Sequence, residues 1–168
     1  MSERISSPWA WLETPPPHLK AYHGEGVWDE RTIFQQAAGL AEQDPDFVVL
    51  IDGDISVTRE QAVLEAEALS SALYARGLRP GDVIAFQLPN WREAMVINLA
   101  AALSGLIVNP VVPIYRDHEV WLMLADCQAR AFFVAREFRN YDYADMAARV
   151  QVRLPDLHHI FTVRGDGA

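Results

Sequence analysis

Between residues 32 and 163 apolar positions follow two rhythms: one returns every three to four residues, and the other is a short, nearly unbroken run. The first is the period of a helix with one buried face, the second that of a strand buried on both sides. The segment TIFQQAAGLAEQ (32–43) sets Ile33, Phe34, Ala37 and Leu40 at helical spacing behind Thr32, a suitable N-cap. FVVLIDGDISVT then places two β-rich runs around Asp52-Gly53-Asp54, where Gly53 can take the positive φ of a tight hairpin. Thr58 and Gln61 have capping-box spacing, and the helix they open carries Ala62, Ala66, Leu69 and Leu73 on one face before stopping at Gly77. RPGD is a turn, and VIAFQLP reads as a strand. Asn90 is placed to cap the next helix, with Glu93 reaching back and Met95, Val96, Leu99 and Leu103 turned inward. A strand over 106–112, a helix over 117–127, the strand AFFVA (131–135), a helix over 142–154 and the strand HHIFTV complete the pattern.

The run from Ala94 to Ile114 has no ionisable side chain, and its length alone would suit a membrane span. One helix cannot run through it. Gly105 breaks the helical pattern, and Pro110 and Pro113 remove backbone donors and clash with the preceding turn. From Ala94 to Asn109 a helix reaches only about 24 Å, short of a bilayer core about 30 Å thick. The run therefore reads as a buried helix followed by a buried strand, LIVNPVV, and no membrane span is expected. Strands alternating with helices through short connections predict an α/β fold: an open, largely parallel sheet with helices on both faces. A β-hairpin precedes it, and residues 1–30, rich in proline, glycine and aromatics, suggest an extended N-terminal arm before the folded unit at 31–168.

Composition narrows the possible roles. A net charge of −9 leaves no basic face to displace counterions from phosphates, so nucleic acid is not an expected partner. The single cysteine, Cys127, excludes an internal disulfide and suits a reducing cytoplasm, and no targeting segment is recognisable. The only lysine is Lys20, in the arm, so chemistry needing a lysine deep in a site is not expected.

Ligands of such sheets bind beyond the carboxyl ends of the strands, here the loops after Leu88, Val112, Ala135 and Val163. None has a dinucleotide fingerprint, a P-loop or a nucleophile elbow. LPNWRE fits helix capping with Trp91 as an aromatic wedge, against a lesser prospect of ligand binding. In VPIYRDHE, Arg116 stands at a helix start beside two acids, either paired locally or in contact with a phosphate. The five histidines lack metal-ligand spacing, so no metal is expected, and Cys127 has no neighbouring histidine to make it a nucleophile. RGD (164–166) reads as a loop, and Glu65 and Glu67 point different ways on a solvated helix.

In consecutive order, DPDFVVLIDGDISVTREQ, GLRPGDVIAFQLPNWREAMVINLAAALSGLIVNPVVPIYRDHEV and ARAFFVAREFRNYDYADM resemble the N-terminal part of an AMP-forming acyl-CoA synthetase of the adenylate-forming superfamily. The PIYR loop and FRNYDYADM are most similar to the branch of cyclohexanecarboxylate-CoA and medium-chain fatty acyl-CoA ligases. The resemblance implies that 31–168 is an incomplete N-terminal α/β subdomain of an AMP-binding domain. The full-length family joins a carboxylic acid to AMP using ATP and Mg²⁺, then transfers it to CoA. Its phosphate loop and catalytic lysine have no counterpart here, so the resemblance implies no catalytic residue, no cofactor and no turnover for this portion alone. It also implies that Arg116 faces the CoA side, and that the chain packs on a missing remainder. The alternatives are a non-catalytic interaction module, a complementing half of a split enzyme, or an unrelated small-molecule-binding domain.

Overall fold

Side chains that alternate between helical and continuous burial can be satisfied only by layers, with strands inside and helices covering them. The computed structural model describes residues 31–164 together with Tyr22. The expected arm over 1–30, Tyr22 apart, and the RGD tripeptide after Arg164 lie outside the described residues.

α1 (Ile33–Gln43) begins at Thr32, whose Oγ1 accepts from the Gln35 amide at 3.2 Å while Gln35 Oε1 accepts from the Thr32 amide at 2.8 Å. Two donors that a helix start leaves unpaired are thus satisfied. β1 (Val48–Asp52) and β2 (Ile55–Thr58) pair antiparallel around Gly53, whose φ is +62°. α2 (Arg59–Ala75) opens with the same reciprocal box, made by Thr58 and Gln61. α1 leans on α2 and α3, not on the sheet, so its buried stripe is narrow. Phe34 and Ala41 are covered, whereas Ile33 is 72% exposed and Leu40 also faces out, against the expectation for both.

The chain continues through β3 (Val83–Gln87), α3 (Arg92–Ser104), β4 (Ile107–Pro110), α4 (Asp117–Asp126) and β5 (Ala131–Ala135). A small hairpin, β6 (Glu137–Phe138) and β7 (Tyr141–Asp142), precedes α5 (Tyr143–Gln151) and β8 (His159–Val163). The sheet order is β4-β3-β5-β8, parallel throughout. α3 carries the chain one way across the sheet, while α4 and α5 carry it the other way. Right-handed crossovers therefore put α3 on one face and α4 with α5 on the other, as the helix contacts agree. Every residue of β3 and β5 is buried, and Phe132 and Ile84 form the centre of the core.

The buried strand expected over 106–112 is shorter and lies at an edge, so its residues are half-buried or exposed. The Ile107 and Val111 amides reach inward to Asp82 and Phe86 carbonyls at 2.9 and 2.8 Å. By the two-residue period of a strand, position 110 points outward, so Pro110 costs no hydrogen bond to β3. In α3 the covered residues are Val96, Ile97, Ala100 and Ala101, while Met95 and Leu99 are half-buried and Leu103 is exposed. The helix lies between the sheet and the α1–α2 layer and buries two faces, so no single stripe describes it. Ala66 of α2 and Ala100 of α3 are both fully covered, and Ser70 and Ser104 hydroxyls meet at 2.7 Å between the helices. No helix among the described residues is long and apolar enough to cross a membrane, because α3 stops at Gly105.

Gly105 has φ +67°, and a Cβ there would stand 3.2 Å from Pro80 Cβ. Gly105→Ala is expected to lower unfolding free energy by about 1–2 kcal/mol, through the left-handed backbone and the Pro80 contact. Urea denaturation of the two proteins measures the difference.

Candidate functional site

The strands' carboxyl ends bring four loops together, and carboxylates from outside the sheet organise them. Asn90 does not cap α3, contrary to the sequence expectation. Trp91 is the N-cap residue and offers no side-chain oxygen, and Asp52, from the β1–β2 hairpin, accepts from the Arg92 amide at 3.1 Å instead. A tertiary contact replaces the local one. Glu93, expected to reach back, is held by Arg164, whose Nε and Nη2 donate to its carboxylate at 2.8–3.2 Å. Arg164 also pairs with Asp52, and its guanidinium lies over the Trp91 ring at 4.1 Å from the centroid. Phe138 meets Trp91 edge-on at 6.0 Å, so Trp91 is the wedge the sequence suggested. Glu65, read as solvated, pairs with Arg92 at 3.1 Å.

These contacts tie the hairpin, the start of α3 and the end of β8 to one another. The Arg92 amide, with Arg164 beside it, holds the Asp52 carboxyl below the usual aspartate value of 3.8. The bond to Glu93 raises the Arg164 pKa further. Next to this cluster a cleft of about 450 Å³ opens among Leu50, Leu88, Trp91, Met95, Asn98 and Val112. Its walls are mainly hydrocarbon.

Arg116 sits at the start of α4, across the sheet ends from Arg164. Its local pairing with the two neighbouring acids is not observed. Asp117 is taken by Arg149 at 2.7 and 3.1 Å, and Glu119 accepts from the Arg116 amide at 3.3 Å. The Arg116 Nη1 donates to the Pro113 and Tyr115 carbonyls at 2.7 and 2.8 Å. The guanidinium lies 4.1 Å from the Tyr141 centroid and 5.6 Å from that of Tyr143. Among the described residues no carboxylate lies within ion-pair distance of the Arg116 side chain. Its positive charge is thus fixed in place by carbonyls and rings but not neutralised.

Tyr141 and Tyr143 complete this side of the site. Tyr141 Oη donates to Asp117 at 3.2 Å, and burial followed by the Asp117 charge raises the phenol's pKa. Arg149 in turn holds Asp117 ionised below the usual range. The sequence reading missed the β6–β7 hairpin that presents Tyr141. Its signal was the Arg139-Asn140 dipeptide between Phe138 and Tyr141, both residues of the dipeptide adopting positive φ, 52° and 59°. It also missed Gln87, a polar residue buried in the core.

Cys127 is half-buried, accepts from Asn109 Nδ2 at 3.2 Å, and has its thiol pKa raised by burial. It lies beside Asp82 and Arg130, at the opposite end of the strands from the four loops. Among the described residues no cluster of three or more His, Cys, Asp or Glu could hold a metal ion. The arrangement offers one fixed cation and an apolar cleft, and among the residues described above none forms a nucleophile–base pair.

Residues 34–167 match the family described as AMP-binding enzyme. The chain is 33% identical to a medium-chain fatty-acid–CoA ligase of Escherichia coli over 85% of its own length and 25% of that protein. Its fold is similar to acetoacetyl-CoA synthetase from Streptomyces lividans, with a TM-score of 0.74 and 25% identity, over 82% of this chain and 23% of that one. The apo structure of MbtA from Mycobacterium smegmatis gives a TM-score of 0.80 and 26% identity, over 97% of this chain and 30% of that one. The chain therefore spans about a quarter to a third of the length of these proteins.

Asp52→Ala removes both a helix cap and an ion-pair partner, and is expected to cost about 1–2 kcal/mol at neutral pH. Asp52→Asn retains an oxygen that can cap and should cost less. Because the folded-state pKa is depressed, the Asp52 contribution is complete above the usual aspartate range and fades as pH falls through the folded value below 3.8. Urea midpoints measured from pH 7 down to pH 3 should show wild type and Asp52→Asn converging at the acid end.

Proposed function

Since the chain belongs to the AMP-binding enzyme family, we propose that it forms the N-terminal portion of an acid–CoA ligase. The complete enzyme would activate a carboxylic acid as acyl-AMP with ATP and Mg²⁺, then transfer the acyl group to CoA in the cytoplasm. The substrate class this reading favours is a medium-chain or alicyclic acid such as octanoate or cyclohexanecarboxylate, in keeping with the 33% identical relative. One observation carries the proposal: the family match covers 34–167, while the chain spans 25% of that relative.

The chain by itself is proposed to be inactive. Forming an acyl adenylate requires donors around the transferring phosphorus and a cation to balance its charge. The sequence has no Ser/Thr/Gly loop followed by lysine, and its single lysine, Lys20, lies outside the described residues. Arg116, cationic and held rigidly against Tyr141, is proposed to face the CoA nucleotide, where a fixed guanidinium can meet a phosphate.

The surface supports a role as one part of a larger assembly. Val48, Val49, Ile51 and Ile55 of the β1–β2 hairpin and Phe47 just before it are all exposed, Ile51 to 72%. A two-stranded hairpin is marginal alone and is stabilised by further packing against the apolar residues it exposes. The proposed occupant is the remaining polypeptide of the ligase, which makes the alternative of an interaction module a description of the same surface.

Incubating the purified chain with ATP, Mg²⁺, CoA and octanoate or cyclohexanecarboxylate should yield no acyl-CoA by chromatography. Co-expression with a polypeptide carrying the family's phosphate loop and downstream regions should yield a co-purifying complex and product. Turnover by the 168-residue chain alone would refute the proposed inactivity. A chain that stays monomeric and ignores the second polypeptide would refute the assembly.

A further inference from the structure

β3 is buried at all five positions, yet its last residue is a glutamine with 0% exposure. A leucine or methionine there would fill comparable space without desolvating an amide. The burial is incompletely compensated, because Gln87 Oε1 has no hydrogen-bond partner among the described residues. Stability of the sheet therefore gives no reason for an amide at this position.

The other end of the amide supplies one. Gln87 Nε2 donates to Val112 O at 3.0 Å and to Tyr115 O at 3.1 Å. Those carbonyls lie three residues apart in the loop between β4 and α4, so one –NH₂ group bridges the loop from inside. Hydrocarbon cannot do this, a hydroxyl has one proton to give, and an ionised carboxylate has none. Tyr143 Oη closes the remaining side by donating to Pro113 O at 2.7 Å. Arg116 follows directly, its Nη1 bonded to the Pro113 and Tyr115 carbonyls. Tyr115 O is therefore shared between Gln87 and Arg116, and a shift of that carbonyl would move both.

We propose that Gln87 is a positioning residue: its side-chain amide fixes the Val112–Arg116 loop and so sets the direction in which the Arg116 guanidinium points. Its functional meaning rests on the reading of Arg116 as the ligand-facing cation. The loop conformation itself does not depend on that reading. Gln87 touches no ligand in this scheme and acts through the carbonyls it holds.

The test uses the 168-residue chain and requires no ligand. Gln87→Met keeps the volume and removes both donors. Hydrogen–deuterium exchange of the Tyr115 amide, which donates to Val112 O at 3.2 Å, should accelerate by about tenfold, while β3 and β5 amides and the urea midpoint remain as in wild type. Gln87→Glu provides a second signature. A carboxyl buried here has a raised pKa and can donate one O–H only when protonated. Loop exchange in that variant, compared with wild type at each pH, should be fast near neutrality and return towards wild type on acidification. Unchanged loop exchange in both variants would overturn the proposal. So would acceleration that merely parallels the strand amides, or a Glu variant whose loop ignores pH. If the loop responds as expected but Arg116→Ala leaves CoA use intact in the assembled enzyme, the Arg116 reading fails and the role of Gln87 in shaping the loop stands.

Discussion

The handedness of strand crossovers is the constraint on which the rest of this molecule depends. A right-twisted strand followed by a helix packs back on the sheet in one sense only, so direction of travel decides which face a helix covers. The chain leaves β3 towards β4, then returns past β3 to β5 and on to β8. That reversal places α3 on one side and α4 and α5 on the other, and makes the loops after β3 and β5 diverge. The opening created at such a reversal is where open α/β sheets hold ligands. The cleft beside Trp91 and the fixed cation at Arg116 both lie at this end, although neither was designed by one local stretch of sequence.

Local signals were legible where the physics is local. The Thr32–Gln35 and Thr58–Gln61 boxes, the Gly53 turn, the Gly105 stop and AFFVA all depend on residues within a few positions, and each stands where the pattern put it. The parallel sheet followed from the alternation of elements. The errors share a cause. Asn90 lost its capping role to Asp52, 40 positions from the Arg92 amide it serves, and Arg116 lost its neighbouring acid to Arg149 from another helix. Burial on α3 was misassigned because two layers cover it, a fact of packing that no one-face periodicity encodes.

The same distinction applies to the site. Resemblance singled out Arg116, but the features that give it a fixed direction come from β3, β7 and α5: Gln87, Tyr141 and Tyr143. An aromatic face, two carbonyls and a buried amide turn a flexible side chain into a defined one. The opposite flank is organised around Asp52, which serves a helix amide and Arg164 together. One short hairpin therefore both presents an apolar surface and steadies the start of α3.

Pro110 gives the sheet a polarity of growth. Its missing donor faces away from β3, so that border offers an incoming strand an interrupted ladder, whereas the border formed by β8 carries no proline. Like a polymer with one terminus chemically blocked, the layer can be extended in register from a single side, and aberrant stacking of copies through the blocked side is disfavoured from the moment β4 pairs.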